Sequence, residues 1–275
     1  MKKNIILNLL WIIVFVFSIY LSGCRNRNSS QKNGNIQDVL VKSKIQGHVK
    51  DFIYPLPTPL EVIQMLQDIG ISYIIGISNY PENVNQYLSA KSKAVALGVY
   101  GTDLSYASIY NMQQDLFLYL ETIKKLAQEL DLQSVYNEDI LSQIKNNIDK
   151  KDTLVNILSN SLFESYNSLN KNGKGDLALR MVAGGWIEAL YLTTHVSENS
   201  YNNYKLVKII FEQKSSLNKL FDVLNEKKDN PSIQELIDIF TPLKKTYDSI
   251  QGSLTEDQLK KIIMEVEKAR NKLLQ

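Results

Sequence analysis

In a chain of 275 residues with one cysteine and two histidines, side chains capable of chemistry gather in few places. Arg180, Glu188 and His195 stand at intervals of eight and seven within an apolar stretch, so with Gly184 and Tyr191 they return to one stripe of a helix. Asp103 is the single charged residue between Ala94 and Gln114. Turned inward, the stripe would put Asp103 opposite Arg180 and Glu188 near His195, as a general acid and base or a weak metal site. Metal binding fits poorly. Two ligands on one helix want a spacing of three or four, Glu188 to His195 is seven, and His195 with Glu198 meets the rule only at the helix end. The same residues also suit a buried structural ion pair or an ordinary solvated face, the plainest of the three. As isolated charges in otherwise apolar stretches, Asp103 and Arg180 are expected to lie within pairing distance between two central, glycine-bearing helices.

Other chemistry is thinly supported, and no catalytic residue, metal or cofactor is expected. Neither Gly98-x-x-Gly101 nor Gly173-x-Gly175 follows a strand pattern, so no phosphate-cradling loop is implied. A Gly-x-Ser-x-Gly run is absent, which leaves no nucleophile elbow. His48 reads as a surface residue. The 15 tyrosines read as core edges that keep a hydroxyl wet rather than as a sugar platform. Asp152-Thr153-Leu154 and Asp248-Ser249-Ile250 have the form of a bacterial O-glycosylation triplet, but three residues match by chance easily, and helix caps at these positions are the preferred expectation.

The most specific motif is Leu21-Ser22-Gly23-Cys24. It follows Lys2-Lys3 and an apolar run from Ile5 to Leu21, the layout of a secretory signal. Small residues at 22 and 23 suit a lipoprotein signal peptidase, and Cys24 offers the thiol that accepts a lipid. A run near 17 residues is marginal for spanning a bilayer. The expectation is a signal over residues 1–23, cleavage before Cys24 and lipid anchoring there. Cys24 is the only cysteine, so the chain has no disulfide, no thiolate metal site and no other thiol nucleophile.

Removing the signal leaves 29 basic and 29 acidic residues. Residues 24–50 carry Arg25, Arg27, Lys32, Lys42, Lys44 and Lys50 against Asp38 alone, and with little to bury they read as a flexible basic tether. Each such charge is worth on the order of 1 kcal/mol beside an anionic lipid surface. The body, residues 51–275, is mildly acidic and lacks a basic stripe, which argues against nucleic-acid binding.

The body reads as one all-α domain of eight or nine helices. Tyr54-Pro55-Leu56-Pro57-Thr58-Pro59 suits an extended strap, then Thr58, Pro59 and Glu61 open a helix that Gly70 closes. Ile71–Ile77 reads as a buried connection. Pro81 and Glu82 should open the next helix through Leu97, and Asn137, Asp152 and Thr255 should cap later ones. Helices around Gly98 and around Gly184-Gly185 are apolar on all sides, so they should be central and cross at close range. Pro242 should bend or end its helix.

Tyr54-Pro55-Leu56-Pro57-Thr58-Pro59, the run Ala96-Leu97-Gly98-Val99-Tyr100-Gly101-Thr102-Asp103-Leu104-Ser105-Tyr106-Ala107 and Gly184-Gly185-Trp186-Ile187-Glu188 resemble an uncharacterised family of all-helical lipoproteins of Bacteroidota-type bacteria. The resemblance covers the chain from about residue 50 onward. It implies a membrane-tethered helical body in the cell envelope and carries no activity with it. Surface export in such bacteria favours acids just after the cysteine, and Arg25-Asn26-Arg27-Asn28 departs from this, which favours the periplasmic face of the outer membrane. The expected function is a non-catalytic, lipid-anchored envelope module, an interaction or accessory body that binds another protein, such as one of the envelope, or a small ligand. The alternative is a ligand-binding protein or enzyme with a site between the two glycine-bearing helices.

Overall fold

The first helix described ends at a glycine, as its sequence predicts. In the computed structural model, which describes residues 59–197 and 200–275, Gly70 takes a φ of +84°. The turn around it returns the Ile71 N–H to the Leu66 carbonyl and the Gly70 N–H to that of Gln67. Nine α-helices and no strand are present among the described residues. They are α1 (Pro59–Asp68), α2 (Ala90–Ile109), α3 (Gln113–Glu129), α4 (Glu138–Asn146), α5 (Lys151–Lys171), α6 (Gly175–His195), α7 (Tyr204–Asn225), α8 (Pro231–Asp248) and α9 (Glu256–Leu274). The fold is therefore the all-α bundle expected from the periodicity. Cys24, the signal residues Leu21, Ser22 and Gly23, the basic tether, His48, the proline strap through Thr58 and Glu198 lie outside the described residues.

Three boundaries differ from the expectations. Pro81 opens only a 3₁₀ turn, Pro81–Gln86; α2 starts afresh after Ser89, whose hydroxyl accepts the Ser92 N–H in a reciprocal capping box. Asp152 does not cap α5. The helix already begins at Lys151, so Asp152 sits in its first turn, where an acid complements the helix dipole instead. Of the bend or end expected at Pro242, the end does not occur: helix α8 continues through it for six more residues. Asn137 and Thr255 cap α4 and α9 as their sequences predict, the latter in a box with Gln258.

Helices α2 and α6 form the centre, since every residue of α2 from Ala94 to Ile109 except Gly101 is buried, as is every residue of α6 from Leu177 to Thr194 except Tyr191. They meet backbone to backbone. A Cβ on Gly98 would lie 1.9 Å from the Met181 carbonyl oxygen, and one on Gly184 would lie 2.3 Å from that of Val95. The Thr102 hydroxyl, 3.1 Å from the Gly98 carbonyl and 3.0 Å from that of Gly185, donates within this contact. Helices α1, α3, α5 and α9 pack against α2, and α1, α5, α7, α8 and α9 against α6. No described helix is long and apolar enough to cross a membrane.

Candidate functional site

One face of α2 carries Tyr100, Asp103, Tyr106 and Tyr110, at steps of three, three and four, which line them up along the helix. Each holds the backbone of the loop that joins α1 to α2. The Tyr110 hydroxyl donates to the Ile71 carbonyl at 2.7 Å, and the Tyr106 hydroxyl accepts the Ile74 N–H at 2.8 Å. Asp103 Oδ2 accepts the Asn79 N–H at 3.2 Å, and the Tyr100 hydroxyl donates to the Tyr80 carbonyl at 2.8 Å. The order reverses along the two segments, so residues 71–80 run antiparallel to α2, posted on a row of side chains.

Further tyrosines clamp the loop. The Tyr73 ring stacks on Tyr106 at 4.5 Å, its hydroxyl donates to Asp115 Oδ2 at 2.7 Å, and the Tyr87 hydroxyl accepts from Asn79 Nδ2 at 2.9 Å. Burial pushes the Tyr73, Tyr87, Tyr100, Tyr106 and Tyr110 hydroxyls above their ordinary range, so they stay neutral hydrogen-bonding groups. The tyrosines read from sequence as wet core edges are here structural posts. Their regular spacing on α2 was the signal for this role.

Beneath the posts lies a cluster of charge. Asp103 and Glu188 are both fully buried, and Arg270 of α9 grips Glu188 with two hydrogen bonds, Nε to Oε2 at 2.5 Å and a terminal nitrogen to Oε1 at 2.9 Å. Burial opposes the Arg270 charge, but Glu188 beside it holds the guanidinium above its usual range. The guanidinium also lies 4.2 Å over the Tyr191 ring, a cation–π contact. Asp103 Oδ1 and the Trp186 indole N–H have no hydrogen-bond partner among the described residues.

The expected pairing of Asp103 with Arg180 does not occur. Arg180 is buried, but its guanidinium serves α8: Nε donates to Ser232 Oγ at 2.9 Å, and a terminal nitrogen to the Ser232 carbonyl at 2.7 Å and to Glu235. Eight residues on a helix amount to about 80° beyond two turns and about 12 Å along the axis. Arg180 and Glu188 therefore face different neighbours, and Asp103 meets the second. Nor does His195 join Glu188: its Nε2 lies 3.2 Å from Glu267 Oε1, its Nδ1 2.8 Å from the Tyr191 carbonyl, and its ring stacks on Tyr191 at 4.1 Å.

The stripe is thus split between α8 and α9, and no general acid and base pair converges on a common space. Arg270 is the participant that the sequence reading missed. A signal existed, since Arg180 and Arg270 are the only arginines after residue 27 in a lysine-rich body, and arginine is the residue suited to bidentate, buried carboxylate pairing.

Clefts among the described residues lie elsewhere. An open one of about 440 Å³ between α4 and α5 is lined by side chains that include Asn137, Gln143, Glu164 and Lys171, and one of about 30 Å³ lies beside Pro59 and Leu158. Neither is lined by Asp103, Arg180, Glu188 or His195. Among the described residues no group of three or more His, Cys, Asp or Glu side chains is arranged to hold a metal ion.

Large apolar side chains stand out on the posted loop: Ile75 is 82% exposed, Leu88 81% and Tyr80 61%. Gly76, beside Ile75, turns with a φ of +80°, and a Cβ there would lie 3.4 Å from the Tyr80 hydroxyl, so Ile75 and Tyr80 share one tip. The chain matches no protein-family model, and neither a curated protein nor a solved structure is significantly similar to it.

Proposed function

We propose that this protein is a lipid-anchored component of the cell envelope, tethered through Cys24 and without catalytic activity, whose helical body presents the loop of residues 71–89 to another envelope protein. One observation carries the reading. Ile75, Tyr80 and Leu88 are left in water on a loop whose backbone is fastened to α2 by Asp103 and three tyrosines. Burying an Ile or Leu side chain contributes about 1.5–3 kcal/mol. A fastened loop that forgoes this with two such residues suits a preformed docking surface, because little ordering cost remains on binding. The polar residues of the core support the same reading, since Arg180, Glu188, His195 and Arg270 are engaged with one another or with neighbouring helices rather than aimed into a cavity.

The test places a photocrosslinking residue at Ile75 or Leu88, and as a control at exposed Gln143 on α4, in the full chain in its native membrane. Crosslinks to one protein from both loop positions and not from Gln143, abolished by an I75S/L88S double variant tested from Tyr80, are expected. Equal labelling from all sites, or a body that carries a stoichiometric small molecule in native mass spectrometry with no protein neighbour, would overturn the reading in favour of a ligand-binding protein. Envelope anchoring is tested separately: Cys24→Ala should abolish lipid incorporation and release the chain from membranes.

A further inference from the structure

The core holds two carboxyl groups and one guanidinium at a single point, and that count does not balance. Both oxygens of Glu188 are taken by Arg270. Asp103, fully buried beside them, has one oxygen on the Asn79 N–H and the other on nothing. Ionised, it would add a second negative charge to a site with one positive charge and leave a buried oxygen without a donor. A proton on that oxygen removes both difficulties, because a neutral carboxylic acid has an O–H to give and Glu188 is the adjacent acceptor.

We propose that Asp103 and Glu188 hold one proton between them at neutral pH, and that Asp103, bridging the Asn79 N–H to Glu188 through this proton, is the latch that ties residues 71–80 to α6. Protonated at Oδ1, Asp103 donates to Glu188 and keeps Oδ2 as the acceptor for Asn79. The cluster then consists of a neutral acid, a carboxylate and a guanidinium, with no net charge.

The groups that face Asp103 agree. On α6 these are Glu188 and, farther out, Tyr191; on α9 there is Arg270; on α3, Tyr119; on α2 itself, Tyr100 and Tyr106; on the loop, Asn79, whose side chain bonds Tyr87. The tyrosines are neutral, so among the described residues Arg270 is the one cation here, and it is already committed to Glu188. Burial, and after it the charge of Glu188, push the Asp103 carboxyl well above the usual carboxylate range, against the opposing pull of Arg270 and the Asn79 N–H.

The native chain thus binds this proton more tightly than the unfolded chain. Between the ordinary carboxyl range and the native value, the contribution of Asp103 to stability falls as pH rises. Above the native value two carboxylates face each other and the link from Asp103 to Glu188 gives way, while the Asn79 N–H, which favours an ionised acceptor, stays with Asp103. Only the consequence for docking rests on the function proposed above; the proton and the latch do not.

The experiment uses the full chain and three measurements: difference infrared spectroscopy for a protonated carboxyl, amide hydrogen exchange across residues 71–80, and urea unfolding at several pH values. Wild type should keep a carboxylic-acid C=O band at neutral pH that D103N lacks. The side-chain amide introduced by D103N would imitate the neutral acid, its NH₂ donating to Glu188 and its carbonyl accepting from Asn79. D103N should therefore be at least as stable as wild type at neutral pH, with a flatter dependence on pH, and should keep its loop protected. D103A should speed exchange at Asn79 and its neighbours about fivefold to tenfold, the change set by one lost hydrogen bond. Absence of the band at neutral pH, or D103N unfolding as readily as D103A, would overturn the proposal. If D103A fails to fold, wild type and D103N still decide it.

Discussion

Replacing Gly98 by alanine tests the central contact directly, and Gly101 on the same helix supplies the control. A Cβ at Gly98 would lie 1.9 Å from the Met181 carbonyl oxygen, 2.7 Å from the Gly185 nitrogen and 2.9 Å from the Met181 carbonyl carbon, all backbone atoms. No rotamer change relieves such a clash, so α2 and α6 must part by more than an ångström to reach ordinary contact distance. A radial gap of about 0.5–1 Å already forfeits a quarter to a half of each dispersion contact along an interface. Overpacking costs about 1–3 kcal/mol and sometimes more, whereas exchanging glycine for alanine in a helix returns about 1 kcal/mol. Because the obstacle is backbone and the two most buried helices must move, the gross cost should lie at or above the top of that range, about 3–5 kcal/mol, and a net loss of about 2–4 kcal/mol is expected for G98A.

At Gly101 a Cβ would meet nothing within 4 Å. G101A should therefore gain about 0.5–1 kcal/mol. Urea unfolding, followed by far-ultraviolet circular dichroism, reads both: the midpoint should fall for G98A and rise slightly for G101A with unchanged slopes. Equal midpoints for G98A and wild type, or a greater loss in G101A, would refute the claim that α2 and α6 are held at backbone contact.

Other perturbations separate the two arginines and the posts. Arg270→Met leaves Glu188 charged, fully buried and without its partner, so a loss of about 3–5 kcal/mol in unfolding free energy is expected. Arg180→Met should cost less, about 1–3 kcal/mol, because Glu235, which also loses a donor, is half-exposed to water and keeps Lys91, and only the Ser232 groups are left buried without one. Tyr110→Phe removes one hydroxyl from the Ile71 carbonyl and should cost about 1 kcal/mol, with faster amide exchange near the start of the loop and none at α5. Replacing Ile75, Tyr80 and Leu88 together by serine should leave the unfolding free energy within about 0.5 kcal/mol of wild type while reducing capture of a neighbour, since these side chains are mostly in solvent.

What was legible from sequence follows from which interactions are local. Helices α2 and α6 announce themselves by being apolar on every side, and their glycines by sitting where a second backbone must come close. The Thr255–Gln258 box depends on four consecutive residues and could be read directly. Pro81 misled because proline at a first helical position is also compatible with a single 3₁₀ turn, and the stronger start signal, Ser89 with Ser92, uses two serines rather than the usual acid or amide at the third position.

The pairing of charges was beyond such reading for a different reason. Asp103 could meet Arg180 or Glu188 according to how far α2 slides along α6, and at about 1.5 Å per residue the two choices differ by only about 12 Å of offset. Sequence periodicity gives the azimuth of each side chain on its own helix but not that offset. Here the offset is set by glycines: Gly184 against Val95 and Gly98 between Met181 and Gly185 leave Asp103 level with Glu188, and Arg180 free to turn toward Ser232. Arg270 then enters from a helix far along the chain, whose buried stripe of Leu259, Ile262, Val266, Ala269 and Leu273 says that α9 packs but not on what. The same glycines therefore decide both the closeness of the central helices and the identity of the acid that Arg270 neutralises. By leaving Asp103 as the second carboxyl in reach of one guanidinium, they also make it the group that must keep its proton, so a shift in the α2–α6 contact, as in G98A, should disturb the fastening of the loop at Asn79 as well as global stability.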